Sequence, residues 1–91
     1  MNRIVDRESN AMRSFASEAC NIADALESVC SHLRQELSDA SGCMQDDSGQ
    51  NAIMIVHDLV EETVVAVSII RSLSDRIRKS AELLEESDTL L

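Results

Sequence analysis

Residues 53–73 read IMIVHDLVEETVVAVSIIRSL, a run rich in Val and Ile, which favour β-strands when judged one at a time. The order of the apolar residues indicates a helix instead, because they recur at steps of three and four rather than two. Neither Gly nor Pro interrupts this spacing as far as Leu84. We therefore predict a helix over about residues 51–86. Its apolar row is Ile53, Val56, Val60, Thr63, Val67, Ile70, Leu73, Ile77, Ala81 and Leu84.

A similar row occurs earlier in the chain and predicts a first helix over about residues 9–41. Its members are Met12, Phe15, Ala19, Ile22, Leu26, Val29, Leu33, Leu37 and Ala40, and a second row of Ala16, Ala23, Cys30 and Leu37 broadens it on one side. We expect Gly42 to end this helix in a left-handed conformation. The turn then covers about residues 42–50, with Asp47 or Ser48 as the N-cap of the second helix.

A connection this short makes the two helices antiparallel neighbours, so the predicted fold is an all-α, two-helix hairpin in one domain, residues 1–91. Residues 87–91 follow as an acidic tail. The second helix is apolar over more than half its circumference between residues 53 and 73, more than one hairpin partner can cover. We expect a second chain to complete a four-helix bundle, as a homodimer or a heterodimer. The predicted partner-binding residues are Ile53, Val56, Leu59, Val60, Val67, Ile70, Leu73 and Ile77.

Composition excludes several classes of partner. The chain has 17 acidic and 8 basic residues, a formal net charge of −9, and Phe15 as its one aromatic residue, so it lacks the basic footprint and the stacking surfaces of nucleic-acid-binding proteins. The acidic excess is spread along the sequence. The charged residues within 53–70 argue against a membrane span. The charged residues that follow Met1 do not resemble a signal peptide, so we expect synthesis in the cytoplasm.

The sequence contains few residues in a spacing that would suit metal binding or catalysis. Its Cys and His residues, namely Cys20, Cys30, His32, Cys43 and His57, lack the paired spacing of a zinc site. A group near the start of the second helix, His57, Asp58, Glu61 and Glu62, is most simply a solvated helical face, because bundle di-metal sites need Glu-x-x-His motifs from several helices. We predict no catalytic residues, no metal and no cofactor, and hence a protein that is not an enzyme.

The predicted turn carries a family resemblance. Met44-Gln45-Asp46-Asp47-Ser48-Gly49, between two amphipathic helices, resembles the mid-chain turn of the WXG family, small helical hairpins exported by bacterial type VII secretion systems. In that family a Trp-Xaa-Gly turn joins the helices, often followed by a second Gly. Met44 stands at the Trp position and Asp46 at the Gly position, so the defining motif is degenerate, while Gly49 matches the second Gly.

A second correspondence lies near the C-terminus. The family's export signal includes a Tyr-x-x-x-Asp/Glu segment, and Leu84-Glu85-Glu86-Ser87-Asp88 is similar except that Leu84 replaces the aromatic residue.

WXG-like proteins without the full motifs serve as partners of the helical N-terminal domains of LXG toxins. The resemblance implies that this chain targets or chaperones such a toxin for secretion, and that Asp88 is the acidic residue of the export signal. It also implies that this chain is itself a candidate for export. A homodimeric helical adaptor or regulatory subunit, unrelated to secretion, is the alternative.

Overall fold

A computed structural model describes residues 3–90 of the chain, which form two long α-helices and no strand. Helix α1 spans Arg3–Ser41 and α2 spans Asp47–Leu90. The helices pack against each other as an antiparallel hairpin, which confirms the predicted fold class. Side-chain contacts join early α1 to late α2, such as Arg13 to Glu85, and late α1 to early α2, such as Arg34 to Glu61.

Both helices are longer than their apolar rows predicted. Helix α1 begins at Arg3 rather than near residue 9. The Ser9 hydroxyl donates to the backbone oxygen of Asp6 at 3.2 Å, and Ser9 lies inside the helix rather than at its start. Helix α2 continues through residues 87–90, which the sequence suggested as an acidic tail, because no Gly or Pro stops it there. Leu91, the last residue of that predicted tail, lies outside the described residues.

The chain divides into two compact units. Unit 1 comprises Met1–Ala23 and Ile69–Leu91, and unit 2 comprises Asp24–Ser68. The buried side chains of unit 1 are all small and recur every seven residues along each helix: Ser9, Ala16, Ala23, Ser74 and Ala81. Side chains this small let two helices approach to about 8 Å between axes, the lower end of the usual range.

A buried hydrogen bond in unit 1 depends on this close approach. Ser74 Oγ donates to the backbone oxygen of Ala16 at 2.8 Å, so the short Ser side chain reaches the main chain of the opposite helix. Cys20 Sγ lies 3.1 Å from the same Oγ. Because the Ser74 proton is engaged with Ala16, the Cys20 thiol is the donor in that second contact. Ser74 thereby ties α1 to α2 inside unit 1.

Unit 2 has larger core residues. Cys30 and Val60 are buried, with Val67 nearby on α2, and the half-buried side chains around them are mainly aliphatic: Leu26, Leu33, Leu37, Ile53 and Val56. The buried row of α2 therefore agrees with the predicted one at Val60, Val67 and Ala81, but between them it passes through Ser74 and not through Leu73, which is exposed. A strict seven-residue repeat explains this shift, since Val60, Val67, Ser74 and Ala81 follow it and Leu73 does not.

The buried row of α1 differs from the expected one. Phe15, Ile22 and Val29, which the sequence placed in the main row, are exposed. The row that seemed only to broaden it, beginning with Ala16 and Ala23, is the buried one. The two rows differ by about 100° around the helix, so spacing alone favours neither, and the closely packed hairpin selects the smaller side chains.

Candidate partner-binding surface

In each unit an ion pair across the hairpin marks a polar side, and an apolar groove lies on another side. Further large apolar side chains, such as Val65 and Leu83, are exposed outside both. In unit 1 the polar side carries a bidentate ion pair, in which Arg13 Nε and Nη2 donate to the two carboxylate oxygens of Glu85, each at 3.0 Å. The hydrogen bond from Arg13 is the main reason that the pKa of Glu85 lies below the ordinary value of a glutamate. Arg78 Nη2 approaches Cys20 Sγ at 3.9 Å on the same side. These partners across the hairpin satisfy the polar side without a second protein.

In unit 2 an ion pair crosses the hairpin from Arg34 Nη2 to Glu61 Oε1 at 3.2 Å, and both side chains are exposed. His57 Nδ1 lies 3.6 Å from its neighbour Asp58 and is also exposed. All four residues that looked like a carboxylate–histidine cluster, namely His57, Asp58, Glu61 and Glu62, are exposed to solvent. Within residues 3–90 no three His, Cys, Asp or Glu side chains come together in a metal-binding arrangement.

The opposite side of unit 1 is apolar. Met12, Phe15 and Ile77 line a groove of about 410 Å³ together with Ala11 and Ser80. Phe15 is 62 % exposed although it is the one aromatic residue. Helical spacing extends this surface to further apolar residues two turns away on either helix. We call it the apolar flank of unit 1, and it consists of Met12, Phe15, Ile22, Ile70, Leu73 and Ile77.

Unit 2 has a corresponding surface near the turn. A groove of about 220 Å³ is lined by the apolar side chains Leu33, Leu37, Ala40, Met44, Ala52, Ile53 and Val56, with Glu36 as the one charged residue. Leu59, two turns after Ala52, is 56 % exposed. We call this surface the apolar flank of unit 2, and it consists of Val29, Leu33, Ala40, Met44, Val56 and Leu59.

The predicted partner-binding residues fall into three groups. Leu59 and Leu73 are exposed, and a second group is half-buried between core and surface: Ile53, Val56, Ile70 and Ile77. Val60 and Val67 are 2 % and 5 % exposed, so they belong to the hairpin core and are unavailable to a partner while the hairpin is closed. The sequence did not predict that α1 also contributes exposed side chains to the apolar flanks, because Phe15, Ile22 and Val29 have the spacing of a core row.

The turn is compact and its three predicted motif residues lie together. Asp46 Oδ1 accepts a hydrogen bond from the Gly49 amide at 2.7 Å, so Asp46 is the N-cap of α2 in place of Asp47 or Ser48. A Cβ on Gly49 would lie 2.8 Å from Met44 Cβ and 2.8 Å from Asp46 Oδ1. The side chain of Met44 remains 40 % exposed and lines the groove of unit 2.

Gly42 does not have the left-handed conformation expected for a helix stop, since no glycine in the described residues has a positive φ. Helix α1 ends through short-range hydrogen bonds, from the amides of Cys43 and Met44 to the backbone oxygen of Ala40, at 2.9 and 3.2 Å. The Ala40 carbonyl near the end of α1 is therefore satisfied without a glycine-specific geometry.

The two residues predicted for the export signal lie one turn apart on α2. Leu84 and Asp88 are both half-buried, and the segment between them is helical. Asp88 takes part in an interaction of its own, so its carboxylate is not simply a free acidic group at the chain end.

Comparison of the chain with protein-family models, with curated proteins and with solved structures finds no match. Neither helix contains, within residues 3–90, a segment that is both apolar and long enough to cross a bilayer. The class that the fold and surface define is a two-helix hairpin with an exposed apolar flank in each unit.

Proposed function

We propose that this chain is a non-enzymatic binding protein whose apolar flanks pack against helices of a second chain to form a four-helix bundle. The proposal rests mainly on one observation, which is that the hairpin buries small side chains and leaves large apolar side chains exposed. In unit 1, Ala16 is fully buried while its neighbour Phe15 is 62 % exposed. Large apolar side chains grouped on one side of a protein usually mark an interaction site.

The identity of the second chain follows from the family resemblance. We propose that it is the helical N-terminal domain of an LXG-type toxin or a similar effector of a type VII secretion system, which this chain targets or chaperones. The two-helix hairpin and the compact turn formed by Met44, Asp46 and Gly49 support this proposal. In this mechanism the flanks cover an apolar surface of the toxin before export and so prevent its aggregation.

A matched pair of variants in unit 2 tests the binding surface. Leu59 is 56 % exposed on the apolar flank, and Val65 is 59 % exposed on a different side of α2. We expect Leu59→Ser to reduce recovery of the partner at least fivefold when the tagged chain is isolated from its host and bound proteins are quantified by mass spectrometry. Val65→Ser should leave recovery unchanged. Equal recovery by both variants would show that the flank does not bind the partner.

The alternative is a homodimeric adaptor, which the same surface could also support because each flank draws residues from both helices and is open to pairing with a copy of itself. Sedimentation equilibrium of the purified 10.0 kDa chain separates the two possibilities. We expect one chain per particle at micromolar concentration. A stable particle of two chains that Leu59→Ser, but not Val65→Ser, dissociates would favour the adaptor.

The export step has its own test. We expect Asp88→Ala to lower secretion of the complex while leaving the circular dichroism spectrum and the amount of complex in the cell unchanged. Because Asp88 is half-buried, Asp88→Glu is the control that keeps the charge. Secretion of Asp88→Ala at the normal level would remove Asp88 from the signal.

A further inference from the structure

The net charge of the hairpin is concentrated in unit 2. Residues 24–68 include nine acidic side chains and one basic side chain, Arg34, whereas the rest of the chain has eight acidic and seven basic side chains. Arg34 is already engaged with Glu61. These residues form one continuous stretch of the sequence, so the acidic excess is not evenly spread along the chain as expected but centred on the turn. Folding packs the acidic end of α1 beside the acidic start of α2 in unit 2.

Several of these acidic groups border the groove on the apolar flank of unit 2. Glu36 lines the groove directly. Asp39 follows the groove residue Glu36 by three residues on α1, and Glu62 follows the flank residue Leu59 by three residues on α2, so each lies on the same side of its helix as the residue that it follows. All three are exposed. The surface thus combines an apolar floor with an acidic border.

We propose that the apolar flank of unit 2 binds an amphipathic helix of a different protein, one that carries Lys or Arg on both sides of its apolar stripe. The inference rests on the proposed function and specifies the chemistry of the partner. Basic residues at the edges of such a helix face the carboxylates of Glu36, Asp39 and Glu62, while its apolar stripe covers Leu33, Met44 and Val56. This opposite charge speeds association and disfavours wrong partners.

A second copy of this chain does not meet that requirement. Pairing unit 2 with another unit 2 places two strongly acidic surfaces together, which is unfavourable. Pairing it with unit 1 supplies little net positive charge, because the basic residues of that unit are matched by its own carboxylates, as in the Arg13–Glu85 pair. The charge distribution therefore favours a foreign, basic helix as the occupant.

The groove also has room for an anchoring side chain. Its volume of about 220 Å³ exceeds the ~150 Å³ of an apolar cavity known to hold benzene, so a Leu or Phe side chain of the partner fits. Met44 forms part of the wall, and its flexible thioether adapts to different apolar shapes. The groove selects an apolar anchor, and the acidic border selects the basic residues beside it.

Two synthetic helical peptides with the same Leu stripe test the inference, one with Lys and one with Glu at the positions beside the stripe. A third peptide keeps the Lys residues and replaces the Leu stripe by Ser. Fluorescence anisotropy with the full-length protein at physiological salt should show the Lys–Leu peptide binding at least tenfold more tightly than either of the others. Equal binding of the Lys–Leu and Glu–Leu peptides, or of the Lys–Leu and Lys–Ser peptides, would overturn the inference.

Charge-neutral variants locate the binding site. We expect the combination Glu36→Gln, Asp39→Asn and Glu62→Gln to weaken binding of the Lys–Leu peptide about tenfold, the size expected for three exposed ion pairs together. A control combination in unit 1 removes the same number of exposed carboxylates and should change binding less than twofold: Glu8→Gln, Glu82→Gln and Glu86→Gln. Equal losses in the two combinations would show that binding is non-specific and would overturn the inference.

The Leu59→Ser variant distinguishes failure of this inference from failure of the proposed function. If Leu59→Ser prevents recovery of the natural partner but the triple charge variant binds that partner normally, the flank is an interface whose occupant is not basic, and only the inference fails. If neither variant affects recovery of the natural partner, both proposals fail. Circular dichroism of each variant confirms that the hairpin is still folded.

Discussion

Replacement of each glycine by alanine provides a sensitive test of the turn. The two positions differ in the space available to a new methyl group. At Gly42 no heavy atom lies within 4 Å of an added Cβ, whereas at Gly49 the Cβ would lie 2.8 Å from both Met44 Cβ and Asp46 Oδ1 and 3.1 Å from the Met44 carbonyl carbon. Neither glycine has a positive φ, so the comparison isolates packing from backbone conformation.

The expected change in the free energy of unfolding follows from opposing contributions. An alanine reduces the entropy of the unfolded chain and stabilises the protein by about 0.4–1 kcal/mol where it fits. Forcing a methyl group into a closely packed site costs about 1–3 kcal/mol. At Gly49 the displacement also strains the 2.7 Å hydrogen bond from its amide to Asp46, a cap worth about 1 kcal/mol. We expect Gly49→Ala to be destabilised by about 1–2 kcal/mol and Gly42→Ala to be slightly stabilised.

Thermal unfolding monitored by circular dichroism at 222 nm measures the difference, at equal protein concentration so that any self-association contributes equally. For a domain of this size, 1 kcal/mol corresponds to about 4–8 °C in Tm. Gly49→Ala should melt roughly 5–10 °C below the parent, and Gly42→Ala a few degrees above it. The packing argument is refuted if Gly49→Ala is as stable as Gly42→Ala.

Three further predictions concern the hairpin itself. Ser74→Ala removes the buried hydrogen bond to the Ala16 oxygen and should lower the free energy of unfolding by about 1 kcal/mol in urea, whereas an unchanged urea midpoint would mean that the bond contributes nothing. Asp46→Ala should cost about 1 kcal/mol and Asp46→Asn much less, because Asn also caps a helix; equal losses would contradict this role. Since Arg13 lowers the pKa of Glu85, this pair stabilises the protein fully above about pH 5 and loses its effect as the pH falls below about 4. Glu85→Gln should flatten the fall in Tm between pH 5 and 3, and an unaltered slope would show that other carboxylates cause it.

The limits of sequence-based reasoning are clearest at the turn and along α1. The spacing of apolar residues between Ile53 and Leu84 predicted a helix correctly. Helical periodicity is a local property, and over thirty residues it outweighs the preference of individual Val and Ile residues for strands. The identity of the N-cap was wrong because Asp46, Asp47 and Ser48 are all suitable capping residues. Only the hydrogen bond from the Gly49 amide identifies Asp46.

What the sequence by itself determined is the type and number of the helices, their antiparallel order and the surplus of apolar surface, since these follow from periodicity and from a short connection. Only the tertiary structure decided which apolar row became the core. Close approach of two helices requires small side chains, so Ala16 is buried and Phe15 is exposed. The tertiary structure also decided which residues form each unit, since helix packing sets the limits of unit 2 at residues 24 and 68. Most of the net charge lies within those limits, so one unit is strongly acidic and the other is nearly neutral.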